Sequence, residues 1–303
     1  MTIDCDYVLP QVACAYLRIQ GDEAAFIETN TTHAVPKLLS TLAAEGMKPE
    51  QVRYVIITHV HLDHAGGTSA LLAACPNATV LAHPRAARHL VDPEKLVASA
   101  RAVYGEAKFD ALYGKIDAIP EARVETLDDG AVRELGGRSL YFDYALGHAK
   151  HHFTVFDPTR DTVYTGDSFG LVYPRLQRSG LLAYPSTSPT DFDGPAALAT
   201  VDRLVALGTR SVCLTHFGEV ERPAEVAAQL RRWLELSISL VEKHASTPKA
   251  ETEQAIRAEL EAAMHAELAR LGLEPDEVDR GLIAFDLDLN AQGLAFAAHK
   301  PKG

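Results

Sequence analysis

Hydrophobic positions along the first two thirds of the chain fall into short runs separated by polar turns. ACAYLRIQ (Ala13–Gln20) and AAFIETN (Ala24–Asn30) predict two strands around the turn GDE. THAVPKLLSTLAAEG predicts a helix capped near Thr32 and closed at Gly46. VRYVIIT (Val52–Thr58), rich in β-branched residues, predicts a buried strand, and ATVLAHP (Ala78–Pro84) another. TSALLAACP between them predicts a short helix stopped by Pro76. A polar, helical stretch follows from Arg85 to Gly114, with Asp92 as a cap and Pro93 in a first helical turn.

Strands resume at Ser139–Leu146, His152–Asp157, Asp161–Asp167 and Ser211–Gly218. A helix ending at Gly208 precedes the last of these. The segment Ser168–Ser188 has no clear period but carries Phe169, Tyr173 and Tyr184, and is expected to be a loop lying over something. After Glu221 the strand signal disappears. RPAEVAAQLRRWLELSISLVEKHA is a long helix, ETEQAIRAELEAAMHAELARLG a second closed by Gly272, and residues 274–300 are expected to form one or two shorter helices. The expected organisation is a body over residues 1–221 and a helical annex over 222–303, in the mixed class where packed sheets are flanked by helices.

Bulk properties narrow the partners. The net charge of −12 disfavours nucleic acid, since phosphate binding needs a basic surface. No apolar run approaches the roughly 18–20 residues that cross a bilayer, and MTIDCDYVLPQ lacks the charged and apolar regions of a secretory signal. Cys5, Cys14, Cys75 and Cys213 are scattered with no CxxC pair, so buried free thiols in a cytoplasmic setting are expected. The partner is then a small-molecule substrate, with neither nucleic acid nor membrane. The annex helices leave a homodimer open.

The chemistry is concentrated in ITHVHLDHAGG (Ile57–Gly67). In extended backbone, residues two apart point the same way, so His59 and His61 can converge on one point. Asp63 and His64 follow in a turn that Gly66 and Gly67 help to shape, and can reach a second point. Imidazole with carboxylate suits zinc, and also iron or manganese.

THVHLDH resembles the metal-binding motif of the metallo-β-lactamase superfamily. That resemblance implies further ligands after later strands: ALGHAKHH supplies His148, VYTGDS supplies Asp167 and CLTHFG supplies His216. It spans about residues 10–220 and implies an αββα sandwich, here with a C-terminal helical annex. It implies two divalent metal ions, zinc foremost: His59, His61 and His148 on one, Asp63, His64 and His216 on the other, and Asp167 bridging. His152 matches a position that supports the site without binding metal. Thr58, Ser168 and Thr215 are outer-shell candidates. His83 stands at a strand end that lies near the site in the family, and His151 faces substrate or solvent.

The implied reaction is hydrolysis of an activated acyl or ester bond by a hydroxide held between the two metals, with Asp63 holding the water and taking its proton. No suitably placed cysteine offers a covalent route. The pattern with helices after the sandwich looks like the glyoxalase II-like branch and its thioesterase relatives, so a thioester or lactone is favoured. Tyr173–Tyr184 and Trp233–Ile238 are candidates to line an acyl pocket. Trp233, Leu234 and Leu236 otherwise serve only to dock the annex. A single iron on His59, His61 and His148, doing persulfide dioxygenase chemistry, and a non-catalytic binding or regulatory role are the alternatives.

Overall fold

The computed structural model describes residues 1–187 and 190–300, with every side chain but that of Val103. The chain divides into two compact units. Unit 1 comprises Met1–Tyr144, His151–Gly166 and Arg210–Glu221, and unit 2 comprises Ala145–Lys150, Asp167–Thr209 and Arg222–Gly303. Residue 221, where the sequence pattern changes, is thus one of several crossings between units.

The first sheet of unit 1 runs in chain order: β1 (Thr2–Asp4), β2 (Cys14–Gln20), β3 (Glu23–Ile27), β4 (Val52–Ile57), β5 (Thr79–Ala82) and β6 (Val124–Thr126). β1, β2 and β3 pair antiparallel, and β3 to β6 pair parallel. The second sheet has the order β12-β11-β10-β9-β8-β7, built from β7 (Ala131–Leu135), β8 (Arg138–Tyr144), β9 (Phe153–Asp157), β10 (Thr162–Gly166), β11 (Ser211–Leu214) and β12 (Gly218–Val220). β10 and β11 are its parallel pair.

Alternation along the strands builds the layers. Tyr16, Ile27 and Ile56 face Phe142, Phe153 and Tyr164 of the second sheet in one core. Their neighbours Leu17, Phe26, Val55 and Ile57 turn to the opposite face. There they meet Leu38 and Leu42 of α1 (Val35–Ala44) and Leu71 and Leu72. From Tyr54 on, β4 is buried on both faces, which is why Tyr54–Ile57 reads as an apolar run without alternation. α2 is a single turn, Leu62–Ala65, and α3 spans Thr68–Ala74. α4 (Pro84–Val91), α5 (Glu94–Tyr104) and α6 (Glu106–Tyr113) complete the helices of unit 1.

Unit 2 holds α7 (Gly194–Ala206), α8 (Pro223–Lys243), α9 (Lys249–Leu271) and α10 (Glu277–Ala298). α10 packs on α9 and α8, and α7 on α8. Gly272 closes α9 in the left-handed conformation, as the sequence implies. The tail is a single helix, one of the two expected alternatives, but at 22 residues α10 is no shorter than α8 with 21. The Asp276 carboxylate accepts from the Asp279 N–H and Asp279 returns the bond to Asp276, so the start is firmly capped. Gly281 lies in open space and does not interrupt the buried stripe Leu282, Ile283, Leu287 and Leu294.

The expected loop over Ser168–Ser188 is also different in kind. Ser188 lies outside the described residues, but Phe169, Leu171, Tyr173, Leu182 and Tyr184 are buried, and Leu171 bridges Tyr184. It is an irregular interior segment of unit 2.

One buried charge pair joins the two sheets. Arg18 of β2 donates from Nε to the Asp157 carboxylate at the end of β9 over 2.6 Å, with both side chains buried. Arg18→Met strands that carboxylate in the interior and is expected to cost about 3–5 kcal/mol. Adding Asp157→Leu is expected to restore only part of it, because the carboxylate also accepts from the Thr159 and Arg160 N–H. Denaturant unfolding of the single and double variants checks both, and equal losses in the two would show that charge pairing is not what the site requires.

Candidate metal centre

Three parallel strands of the first sheet end side by side, and each delivers a polar residue at its carboxyl end. Glu28 follows β3, Thr58 and His59 follow β4, and His83 follows β5. Such strand ends are where parallel sheets gather their functional groups. β4 carries the chain to His59 and His61, and the turn α2 then presents Asp63 and His64. Gly66 and Gly67 have ordinary helical angles. Their role is space: a Cβ on Gly67 would stand 2.7 Å from the Thr31 carbonyl oxygen and 2.8 Å from that of Thr29.

Within unit 1 the early motif and His216 come together. The ligand atoms of Asp63, His64 and His216 lie within 4.8 Å of one another. His216 Nε2 is 3.4 Å and His64 Nε2 4.0 Å from Asp63 Oδ2. His59 Nε2 stands 2.8 Å from His61 Nδ1. His59 and His64 are fully buried, and His216 nearly so.

Hydrogen bonds assign the imidazole tautomers. His216 Nδ1 donates to the Val12 carbonyl over 2.8 Å, so Nε2 is its lone-pair nitrogen. The Thr58 hydroxyl gives its proton to Glu28, so toward His59 Nδ1, 3.1 Å away, it can only accept. His59 Nε2 is then its lone-pair nitrogen. His64 Nδ1 faces Glu28 Oε1 at 3.3 Å, and its Nε2 faces Asp63.

Unit 2 carries the two remaining predicted ligands. His148 Nδ1 donates to the Ser186 carbonyl over 3.0 Å, and His148 Nε2 lies 3.5 Å from Asp167 Oδ2. Both side chains are buried. Beside them is a narrow recess whose other walls include Leu146, Phe192, Ala197, Val201, Leu230 and Leu234. Gly147 gives this wall its close packing, since a Cβ there would fall 2.3 Å from the Ala197 Cα. Tyr173 and Tyr184 do not line the recess. Their hydroxyls turn to the buried Asp286 carboxylate instead. Of the annex residues considered for a pocket, Leu234 lines it, while Trp233 packs near Tyr184.

The supporting residues sort clearly. His152 is buried and stacks on His59 with ring centroids 4.7 Å apart. A Cβ at Gly166 would stand 2.6 Å from the His152 ring and 2.5 Å from Thr58 Oγ1, so the strand end must be glycine for these two to approach. His151 Nδ1 accepts from the Val60 N–H over 3.5 Å. The Thr215 carbonyl accepts from the Cys14 N–H. His33 and His299 make helix-side contacts, to the Asp110 carbonyl and to Thr252. All four cysteines are buried free thiols, and burial pushes Cys5 and Cys213 up to about 12.

Two features escaped the sequence reading. Glu28 is fully buried at a left-handed φ of 65° and touches both Thr58 and His64. The available signal was an acidic residue at the end of a buried strand, which is costly unless partnered. The second is the Tyr7–Tyr113 pair, with hydroxyls 3.3 Å apart. Tyr113 packs against Leu62 of the motif. Burial raises the Tyr7 hydroxyl, and the charge of Asp63 adds to the effect.

The donor set within unit 1 fits divalent metal ions: convergent imidazole nitrogens and a carboxylate oxygen, His59, His64 and His216 buried and Asp63 half-buried. Fold and donors define a metallo-β-lactamase-type protein. A model of the metallo-beta-lactamase superfamily matches residues 8–216, and the chain belongs to that superfamily. It has the metallo-β-lactamase fold with a C-terminal helical part.

Among its relatives, the metallo-beta-lactamase fold-containing protein ST1585 of Sulfurisphaera tokodaii is 25% identical over 215 residues, covering 70% of this chain and 75% of the relative. The crystal structure of ST1585, described as an archaeal superfamily protein from Sulfolobus tokodaii, matches with a TM-score of 0.67 over 97% of both chains at 21% identity. The family protein TTHA1429 from Thermus thermophilus matches at 0.58, 20% identity and 82% of each chain. MEM-A1, a subclass B3 metallo-beta-lactamase from a soil metagenome library, matches at 0.52 and 20% identity, over 76% of this chain and 92% of its own.

His83 is a structural member of this strand-end row. It is buried, caps α4 by accepting the Arg85 N–H at Nδ1, and packs on Tyr144. Burial, helped by the Arg85 charge, lowers its pKa to about 4. Between pH 6.5 and 4 the unfolded chain therefore takes up a proton that the folded one refuses. Folding stability should fall by about 2–3 kcal/mol as pH drops through that window. His83→Asn, which keeps a capping acceptor without titrating there, should flatten that part of the urea-unfolding profile. An unchanged pH slope would remove His83 as its source.

Proposed function

We propose that the protein is a dinuclear metal-dependent hydrolase of an activated acyl bond, a thioester or lactone. In this reading His59, His61 and His148 hold one divalent cation, Asp63, His64 and His216 hold a second, and Asp167 bridges. Zinc suits this nitrogen and carboxylate set best. The observation that carries the reading is the second donor group. Asp63, His64 and His216 converge within unit 1, with Nδ1 of His216 bonded to Val12 and Nδ1 of His64 against Glu28. A mononuclear iron site would leave that buried, oriented triple without a task.

When bound, two such ions ionise a water near neutral pH and polarise a carbonyl oxygen. The protein supplies the rest. Asp63 has its Oδ2 directed at His216 and His64, and its side chain retains 27% exposure. It can therefore both orient a water and accept its proton. Glu28 and Thr58 keep His59 in one tautomer, and the Glu28 carboxylate stands against His64 Nδ1. The apolar recess beside His148 and Asp167 supports an acyl group with a compact hydrocarbon substituent. The four high-pKa buried thiols support a reaction without a cysteine nucleophile, and fit a cytoplasmic, reducing setting.

Elemental analysis followed by a panel of acyl-thioesters, lactones and phosphodiesters tests the proposal. The expected result is about two zinc ions per chain and turnover of short acyl substrates. Asp63→Asn should lower kcat by about 10²–10⁴. About one iron per chain with oxygen consumption would overturn it, as would silence across the panel with metal loaded.

A further inference from the structure

We propose that Asn290, on α10, is a positioning residue that sets the tautomer and orientation of His148. The step to metal binding rests on the function proposed above, but the positioning itself concerns only the protein's own atoms.

The argument starts from Ser186. Its carbonyl accepts the His148 Nδ1–H, so the placement of that one peptide group decides where His148 Nε2 points. Ser186 lies in irregular chain, where no sheet ladder or helix fixes the backbone. The residues on either side are held by a single side chain. Asn290 Nδ2 donates to the Pro185 carbonyl over 2.9 Å, and Asn290 Oδ1 accepts the Thr187 N–H over 2.7 Å. Only one orientation of the amide makes both bonds. The Thr187 hydroxyl adds a third link by donating to the Asn290 carbonyl over 3.2 Å. Asn290 is buried, so these bonds form away from competing water.

Asn290 is also not an isolated polar residue. Asp279, Asp286 and Asn290 are spaced by seven and four, so they share one face of α10. Asp279 takes Arg175 at 2.6 Å and Arg178 at 2.5 Å. Asp286 accepts from Tyr184 at 2.7 Å and Tyr173 at 3.4 Å. The helix therefore grips the segment from Arg175 to Thr187 at three points, and only the last of them adjoins Ser186. This makes the first two natural controls.

The experiment compares Asn290→Ala, Thr187→Val and Tyr184→Phe with the parent chain. Long-range ¹⁵N–¹H spectra of the metal-free proteins report the His148 tautomer, and chelator competition reports zinc affinity. The parent should show His148 protonated at Nδ1. Asn290→Ala should give a mixed tautomer and bind zinc about 10- to 100-fold more weakly, the range for losing an outer-shell partner. Thr187→Val, nearly isosteric and so expected to fold, should shift both readouts in the same direction by less. Tyr184→Phe should lower thermal stability while leaving both unchanged.

A folded Asn290→Ala with the parent's tautomer and zinc affinity overturns the inference. So does a Tyr184→Phe that shifts the tautomer as much, since the effect would then be general loosening. If Thr187→Val alone folds, an unmoved tautomer there likewise overturns it. A shifted tautomer in a chain whose parent binds no zinc would uphold the positioning and sink the metal reading instead.

Discussion

A neutral imidazole has one protonated nitrogen and one lone pair, and which is which depends on what the ring donates to. Much of the polar architecture around the histidines answers that question. His216 donates to a backbone carbonyl, His59 to a threonine hydroxyl that has spent its own proton on Glu28, and His148 to another backbone carbonyl. His64 sets Nδ1 against the Glu28 carboxylate. In His216, His59 and His148 the Nδ1 donates and Nε2 is left as the lone pair. Within unit 1, His59 and His216, from distant parts of the chain, reach the same tautomer through different acceptors, and both stand in donor groups able to hold a metal ion. A set of unrelated buried histidines would have no reason to agree.

Glu28 is the costliest part of that arrangement within unit 1. It places a carboxylate in the interior and holds a non-glycine residue in the left-handed region, which alone costs about 1–2 kcal/mol. The backbone N–H is satisfied by the Ile56 carbonyl, so the strain is local to the side chain's aim. What the strain achieves is one carboxylate serving two rings, His64 directly and His59 through Thr58. Gly166 completes the cluster by being absent as a side chain. With any Cβ there, Thr58 and His152 would be pushed off their present positions.

The candidate donors that gather in unit 1 were legible because clustered imidazoles and carboxylates are chemically distinctive and stand at strand ends, where periodicity breaks. The fold was legible where strands are long and buried. β1, β6, β7 and β12 were missed because strands of three to five residues with exposed or polar faces carry little periodic signal. Residues 274–300 were expected as one or two shorter helices, and the full length of α10 depends on tertiary partners that its own sequence does not show. In the structure Asp286 is a buried partner of two tyrosines. Glu28 was read as the tail of a strand, since nothing in its neighbours shows that later elements converge on it. The interior segment 168–187 was taken for a covering loop for a related reason. Lack of period signals irregular backbone, and it does not signal exposure.

That last distinction explains why the helices of unit 2 are polar on a buried face. Every backbone N–H and C=O removed from water needs a partner, and irregular interior chain has no ladder to provide them. A purely apolar helix packed on such a segment would leave those groups stranded. α10 supplies side chains in place of a ladder: Asn290 takes one carbonyl and one N–H, and Gln229 of α8 does the same for Leu181 and Ala183. Two amide side chains from two helices thus act as short β-bridges. The segment they hold ends at the carbonyl that fixes His148. The helical part therefore does more than bury apolar surface, because its polar residues give an irregular stretch of interior chain the hydrogen-bond partners it lacks.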